Sequence, residues 1–332
     1  MMRLSTRLTV CFGALLAAGS AFPQAGTIST ASPGFLQLVD GGWTYRVDNT
    51  FSSAARTGTG GGLANYTRGS APDHLYQHWW WYRGSFVGGS ADNREFALSN
   101  LVAAQSFAGA VPSQYAFGVL TYNEPVAGVA NALRFRLSYA FDGINNGAVG
   151  FQNLGVAIMS VRWTVTNTSD RDIEVNFFNY MDLDVVGPSG TGGSNDRARV
   201  DIWNPGGSIG GWIKQWDTTS PLTTPGVAPG NFDGFNYIAS GANLVGYQAA
   251  AWTSTRFGLT DAAITNLTNA PAVGTEIGAI DVASAYQWRF TLRPGESANG
   301  WVTVGVNVPE PASMLALGVG LAGLVGLRRR RK

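Results

Sequence analysis

Apolar and polar residues alternate with a period of two along most of this chain. In LRFRLSYAF (133–141), Leu133, Phe135, Leu137, Tyr139 and Phe141 fall on one side, and Arg134, Arg136 and Ser138 on the other. That pattern describes a strand with one face buried and one face in water. The same reading applies to WTYRVDN (43–49), REFALSN (94–100), YAFGVLTYN (115–123), SVRWTVTN (160–167), IEVNFFNYMDLDV (173–185), RVDIW (199–203), YQWRFTL (286–292) and GWVTVGVNV (300–308). Each is rich in aromatic and β-branched residues and bounded by Gly, Asn, Asp or Pro. Helix signals are sparse. The strongest is TDAAITNLT (260–268), with Thr260 or Asp261 as its N-cap. Many short strands without helical alternation predict an all-β fold, a large antiparallel β-sandwich of jelly-roll or supersandwich type. No repeat of fixed period points to a propeller or a β-helix.

Both ends of the chain read as targeting segments, to be set aside before the fold is considered. Arg3 and Arg7, the apolar stretch Leu8–Ala18 and the small residues that follow have the order of a secretory signal peptide, assigned to 1–21. The remaining body, 27–308, is read as one β-sandwich. The loop DTTSPLTTPGVAPGNFDG (217–234) is a possible boundary, but the stretch behind it is short for a second β-domain. The only cysteine, Cys11, lies inside the signal, so the body forms no disulfide and no thiolate metal site. The body carries 15 basic and 20 acidic residues, a net charge of −5. That balance argues against nucleic acid as a partner, because phosphate binding requires a basic surface.

Candidate chemistry is limited. HWWWYRG (78–84) puts His78, Trp80 and Tyr82 on one strand face and Trp79, Trp81 and Arg83 on the other. One face must be core. The other is either covered, or an aromatic platform on which Trp80 and Tyr82 stack against sugar rings. YMDLD (180–184) sets Asp182 and Asp184 on one face, about 6.5–7 Å apart at strand rise. Two aspartates leading into a Gly-Pro loop are ordinary as a solvated or Arg-paired strand end. Ca²⁺ binding and a glycosidase acid pair are the weaker readings of the same spacing. Ca²⁺ at Asp182 and Asp184 is the only cofactor the sequence suggests, and no residue is assigned as catalytic. FDGINNG (141–147) reads as a hairpin turn rather than a calcium loop. Gly206–Gly210 fits G-x-S-x-G, but a turn precedes Ser208, a strand follows it, and the two histidines, His74 and His78, lie far upstream.

The last segment is VPEPASMLALGVGLAGLVGLRRRRK (308–332). Ala312–Leu327 is sixteen residues without a charge, and five cations follow. This arrangement predicts a transmembrane helix with a cytoplasmic basic end, and hence a body tethered outside the inner membrane. Pro309, Glu310 and Pro311, the short apolar stretch and the basic cluster resemble the PEP-CTERM sorting signal of Gram-negative bacteria. The resemblance implies that Pro309-Glu310-Pro311 is the recognition element for an exosortase-type processing enzyme, and that Arg328, Arg329, Arg330 and Arg331 form the retention cluster. It also implies delivery to the cell surface or extracellular space, in the setting of exopolysaccharide and biofilm formation. It assigns no activity to the body. The function read from the sequence is an exported surface or matrix protein associated with exopolysaccharide. A secreted enzyme acting on extracellular glycans ranks second, and an adhesive or assembly protein third.

Overall fold

The structure is a computed structural model that describes residues 24–29, 34–49, 64–68, 73–143, 157–185, 195–217 and 234–307. Among these residues the chain forms β1 (Ala25–Ser29), β2 (Gly34–Asp40), β3 (Trp43–Asn49), β4 (Ala64–Arg68), β5 (Gln77–Phe86), β6 (Phe96–Ala97), β7 (Phe107–Val111), β8 (Tyr115–Val126), β9 (Val129–Asp142), β10 (Ala157–Asn167), β11 (Ile173–Asp182), β12 (Asp196–Trp203), β13 (Gly211–Asp217), β14 (Gly234–Ala239), β15 (Leu244–Ala251), helix α1 (Trp252–Thr260), β16 (Glu276–Ile280), β17 (Val282–Leu292) and β18 (Ser297–Asn307). One 3₁₀ turn covers Ala103–Gln105.

The strands build three sheets. The largest has the order β16-β12-β13-β14-β18-β10-β9-β8-β7, the second β15-β17-β11-β5-β6, and the smallest β1-β2-β3-β4. The two smaller sheets together cover one face of the nine-stranded sheet. Tyr45 of β3 stacks on Tyr139 of β9 with ring centroids 6.0 Å apart. Trp163 of β10 meets Phe177 of β11 and Trp288 of β17 edge-on, each at 5.4 Å. The alternation in β9 becomes burial: Leu133, Phe135, Leu137, Tyr139 and Phe141 are core, while Arg134 and Arg136 are exposed. The result is an all-β, multi-stranded sandwich.

The five-stranded sheet is buried on both faces, because loops and α1 cover the side turned away from the large sheet. The Trp79 indole donates to Leu98 O at 3.2 Å. Arg83 pairs with Glu95 and donates to Thr265 O at 3.0 Å. Glu95 in turn accepts from the Thr265 N–H at 3.1 Å. Two separate loops are thereby fastened over the aromatic run.

Three sequence expectations are corrected. The helix expected over 260–268 lies earlier, at Trp252–Thr260. Asp261 ends it rather than starting a new one. Its Oδ1 accepts from the Ala263 N–H at 2.8 Å, a local turn that competes with helix propagation. REFALSN holds only the two-residue strand β6. The transmembrane helix, and the inner-membrane tether inferred from it, are withdrawn: among the described residues no helix is long and apolar enough to cross a membrane. The segment on which it was placed, 312–327, lies outside the described residues, as do the signal segment 1–21, Pro309, Glu310, Pro311 and Arg328–Arg331. Sixteen helical residues span about 24 Å, short of a hydrocarbon core of about 30 Å.

Candidate functional site

Antiparallel pairing sets the ends of several strands side by side. Asp182, the last residue of β11, faces Gln77 at the start of β5 and Ala283 near the start of β17. Asp196, first in β12, faces Asp217, last in β13. Acids placed at strand ends along the sequence therefore converge at one end of the sandwich.

At the centre are Asp182, Asp184 and Asp281, with one carboxylate oxygen from each lying within 4.8 Å of the others. Asp182 is almost wholly buried, at 3% exposure. Its Oδ2 accepts from the Tyr180 hydroxyl at 3.0 Å. Its Oδ1 is buried without a hydrogen-bond partner among the described residues, as are Asp281 Oδ1, Asp196 Oδ1 and Gln215 Oε1. The Gln215 amide, on the inner face of the large sheet, donates to Leu183 O at 2.8 Å and Val282 O at 2.9 Å. It also reaches Asp196 Oδ2 at 3.2 Å. Gln215 thus bridges the two backbone segments that carry the three acids.

Burial and crowding raise the pKa values of these carboxyl groups. Desolvation, with the field of Asp281 next, raises Asp182 to about 7; Arg256 of α1 acts in the opposite sense. The same two causes raise Asp184 to about 6, with Asp73 adding to them. Desolvation raises Asp196 to about 8 against hydrogen bonds from Gln215 and the Val185 backbone. Burial raises Asp281 as well. Like charges this close cannot all ionise, so the cluster shares protons near neutral pH. It holds an acid beside a base, which is what general acid–base chemistry requires. Its oxygen-only donors also match the ligand preference of a hard divalent cation.

Of the residues singled out by sequence, Asp182 and Asp184 come together here, although β11 ends at Asp182 and Asp184 follows it. Asp281, Asp196 and Gln215 were missed. Only the register of β11 against β17 brings Asp281 in, and an acid before a strand carries no local signal of its own.

The aromatic platform is corrected. Trp80 and Tyr82 are fully buried. Trp80 stacks on Phe177 at 4.9 Å, and its indole donates to the Tyr139 hydroxyl at 3.2 Å. Tyr82 donates to Pro125 O at 2.7 Å. Neither ring has a face left for a sugar. His78 is sealed in the same core. The Asn179 amide donates to its Nε2 at 2.8 Å, which leaves Nδ1–H facing the Tyr45 hydroxyl at 2.7 Å. Burial lowers its pKa to about 3, so it is a neutral structural group. Ser208 lines a cleft without a histidine, and β13 follows it at Gly211, so G-x-S-x-G is not a nucleophile elbow here. Of FDGINNG, Asp142 ends β9, and the asparagines lie outside the described residues.

Solved structures similar to this chain include a galactose mutarotase-like protein from Clostridium acetobutylicum, with 11% identity and a TM-score of 0.43 over 85% of this chain and 98% of that one. A galactose mutarotase related enzyme from Lactobacillus acidophilus gives 9% and 0.42 over 82% and 98%. A GH36 α-galactosidase from Geobacillus stearothermophilus gives 9% and 0.34 over 81% and 40%. Likeness at this level assigns neither activity nor residue roles. No curated protein matches the chain. The sequence-based ranking of a non-enzymatic body above an enzyme is withdrawn on the site itself, where three carboxyl groups converge within 4.8 Å. Residues 307–331 match the PEP-CTERM protein-sorting motif, so the chain carries that signal directly behind β18.

Proposed function

We propose that this protein is exported and sorted to the cell surface, and that its body acts on extracellular sugars by acid–base chemistry at Asp182, Asp184 and Asp281. The observation that carries this reading is the cluster itself. Three carboxyl groups converge within 4.8 Å, and two of them titrate close to neutrality. Asp184, more exposed than Asp182 and lower in pKa, is assigned as the base, and Asp182 as the acid. A panel of extracellular glycans and reducing sugars, followed for bond cleavage and for anomer interconversion, tests it. Asp182→Asn is expected to lower turnover by at least about 100-fold while leaving the fold intact. Equal turnover in the variant would end the assignment.

A second reading of the same cluster is a divalent-cation site, favoured by the unpartnered oxygens of Asp182, Asp281 and Gln215. Asp182, Asp184 and Asp281 would hold Ca²⁺, which would fix the strand ends rather than carry a step.

For sorting, the supporting observation is the PEP-CTERM match at 307–331 together with the signal-like residues at the N-terminus. Glu310→Ala is expected to block processing by an exosortase-type enzyme. Mass spectrometry of the mature C-terminus in a host that makes such an enzyme checks this. An intact C-terminus in both proteins would rule processing out.

A further inference from the structure

The nine-stranded sheet has one face in the core and one face turned outward. On the outer face the strand register aligns side chains in rows: Trp301 beside Arg162 and Ser138, then Asn299 beside Thr164 and Arg136, then Ser297 beside Thr166 and Arg134. Arg134, Arg136 and Arg162 are all exposed, and Trp301 is half-buried.

The charges on this face divide in two. Over β12, β13 and β16 the cations are paired with acids: Arg197 with Glu276, while Arg199 and Lys214 share Asp201. Over β9 and β10 they are not. Arg136 and Arg162 have no ion pair among the described residues, and Arg134 donates only to the neutral Asn123 side chain at 3.3 Å. No Asp or Glu takes an outward position on β8, β10, β14 or β18. On β9 the one such position is Asp142, buried at the strand's end and about 20 Å from Arg136 at strand rise. Glu296, before β18, is turned onto the Arg293 N–H at 2.9 Å. A body of net charge −5 therefore presents a strip of uncompensated guanidinium groups.

Beside this strip lies an open cleft of about 520 Å³, lined by Ser160, Arg162, Ser208, Ser240, Asn299 and Trp301. Its hydroxyls are held in place: Ser160 Oγ and Thr303 Oγ1 are 2.8 Å apart, and Ser240 Oγ accepts from the Trp301 N–H at 3.1 Å. An indole, fixed hydroxyls, an amide and a guanidinium form the donor set that binds a sugar ring bearing a carboxylate. The indole takes the ring's apolar face, and the guanidinium takes the carboxylate in bidentate fashion.

We propose that this outer face, from the Arg162–Trp301 cleft across to Arg134 and Arg136, binds an anionic polysaccharide. The site lies on the opposite side of the large sheet from its buried core and does not depend on the carboxyl cluster. A uronate polymer carries a carboxylate on each ring and is narrow enough to lie along one strip. Nucleic acid, with denser charge and a wider contact, meets the acidic remainder of the body.

Co-sedimentation of the full-length protein with alginate, against neutral dextran, tests this at two salt concentrations. Alginate binding in preference to dextran, weakened by salt, is expected. Arg136→Ala combined with Arg162→Ala should weaken it by about tenfold or more, the loss of charge-assisted hydrogen bonds. Trp301→Ala should weaken it several-fold without changing the salt dependence. Circular dichroism confirms that these surface variants fold, and Arg162→Lys, which keeps the charge but loses the bidentate fork, should bind more tightly than Arg162→Ala and more weakly than the parent. Equal binding to dextran, alginate affinity unchanged in the double arginine variant, or tighter binding to single-stranded RNA or to anionic phospholipid vesicles would each overturn the proposal.

Discussion

Raising the pH from 5 to 8 is expected to destabilise the fold by about 3 kcal/mol through Asp182 alone. The folded-state pKa of about 7 lies above the ordinary value of 3.8 that the unfolded chain retains. Between those values the unfolded chain has released its proton and the folded chain has kept it, so each pH unit lowers stability by about 1.4 kcal/mol. The loss is complete once the pH passes the folded pKa. Asp184 adds to it up to about pH 6, and Asp196 up to about pH 8. Their contributions do not simply add, because the groups share protons. Urea unfolding at pH 5, 6, 7 and 8 measures the slope, and Asp182→Asn should flatten it. A stability independent of pH across this range would mean that water reaches the carboxylates. Calcium separates the two readings of the site. If the cluster seats a cation, millimolar calcium restores most of the stability lost at pH 8. If it is an acid–base pair alone, calcium leaves the slope unchanged.

Trp163→Ala is expected to lower the unfolding free energy by about 3–5 kcal/mol, the cost of emptying a large aromatic site in a packed core. Trp163 is fully buried and lies at the meeting point of two sheets. It packs edge-on to Phe177 and Trp288 and stacks on Phe290 at 5.8 Å. Its cross-strand partner is Gly300, where a Cβ would come within 2.4 Å of the indole. The residue opposite is glycine because the ring lies over it. The indole N–H is buried without a hydrogen-bond partner among the described residues. Its stabilisation is therefore packing, and Trp163→Phe should cost much less than Trp163→Ala. Urea midpoints of the two variants check the order. A loss below about 1 kcal/mol for Trp163→Ala would show that the sheets do not close on this residue.

The carboxyl cluster shows how far local pattern reaches. YMDLD marked two of its three acids because they sit two residues apart on one segment. Asp281 lies about a hundred positions on, and only the pairing of β11 with β17 makes it a neighbour. Gln215 reaches the site from a different sheet. The aromatic run misled for a related reason. Alternation in HWWWYRG says that two faces differ, but not whether a loop closes over the second. Here Glu95, Arg83 and Thr265 fasten loops across it, and the half-buried indoles of the outer face are elsewhere, Trp301 among them.

The sequence by itself determined the strands, their inward and outward faces and the sorting signal, because each depends on side chains close together along the chain. Period-two alternation needs only the geometry of one strand, and a sorting motif is a run of consecutive residues. The tertiary structure alone decided which strand ends meet, which aromatic face stays open and which cations lack a partner. Those depend on register and on the order of strands within sheets, where residues far apart in sequence become neighbours at about 5 Å.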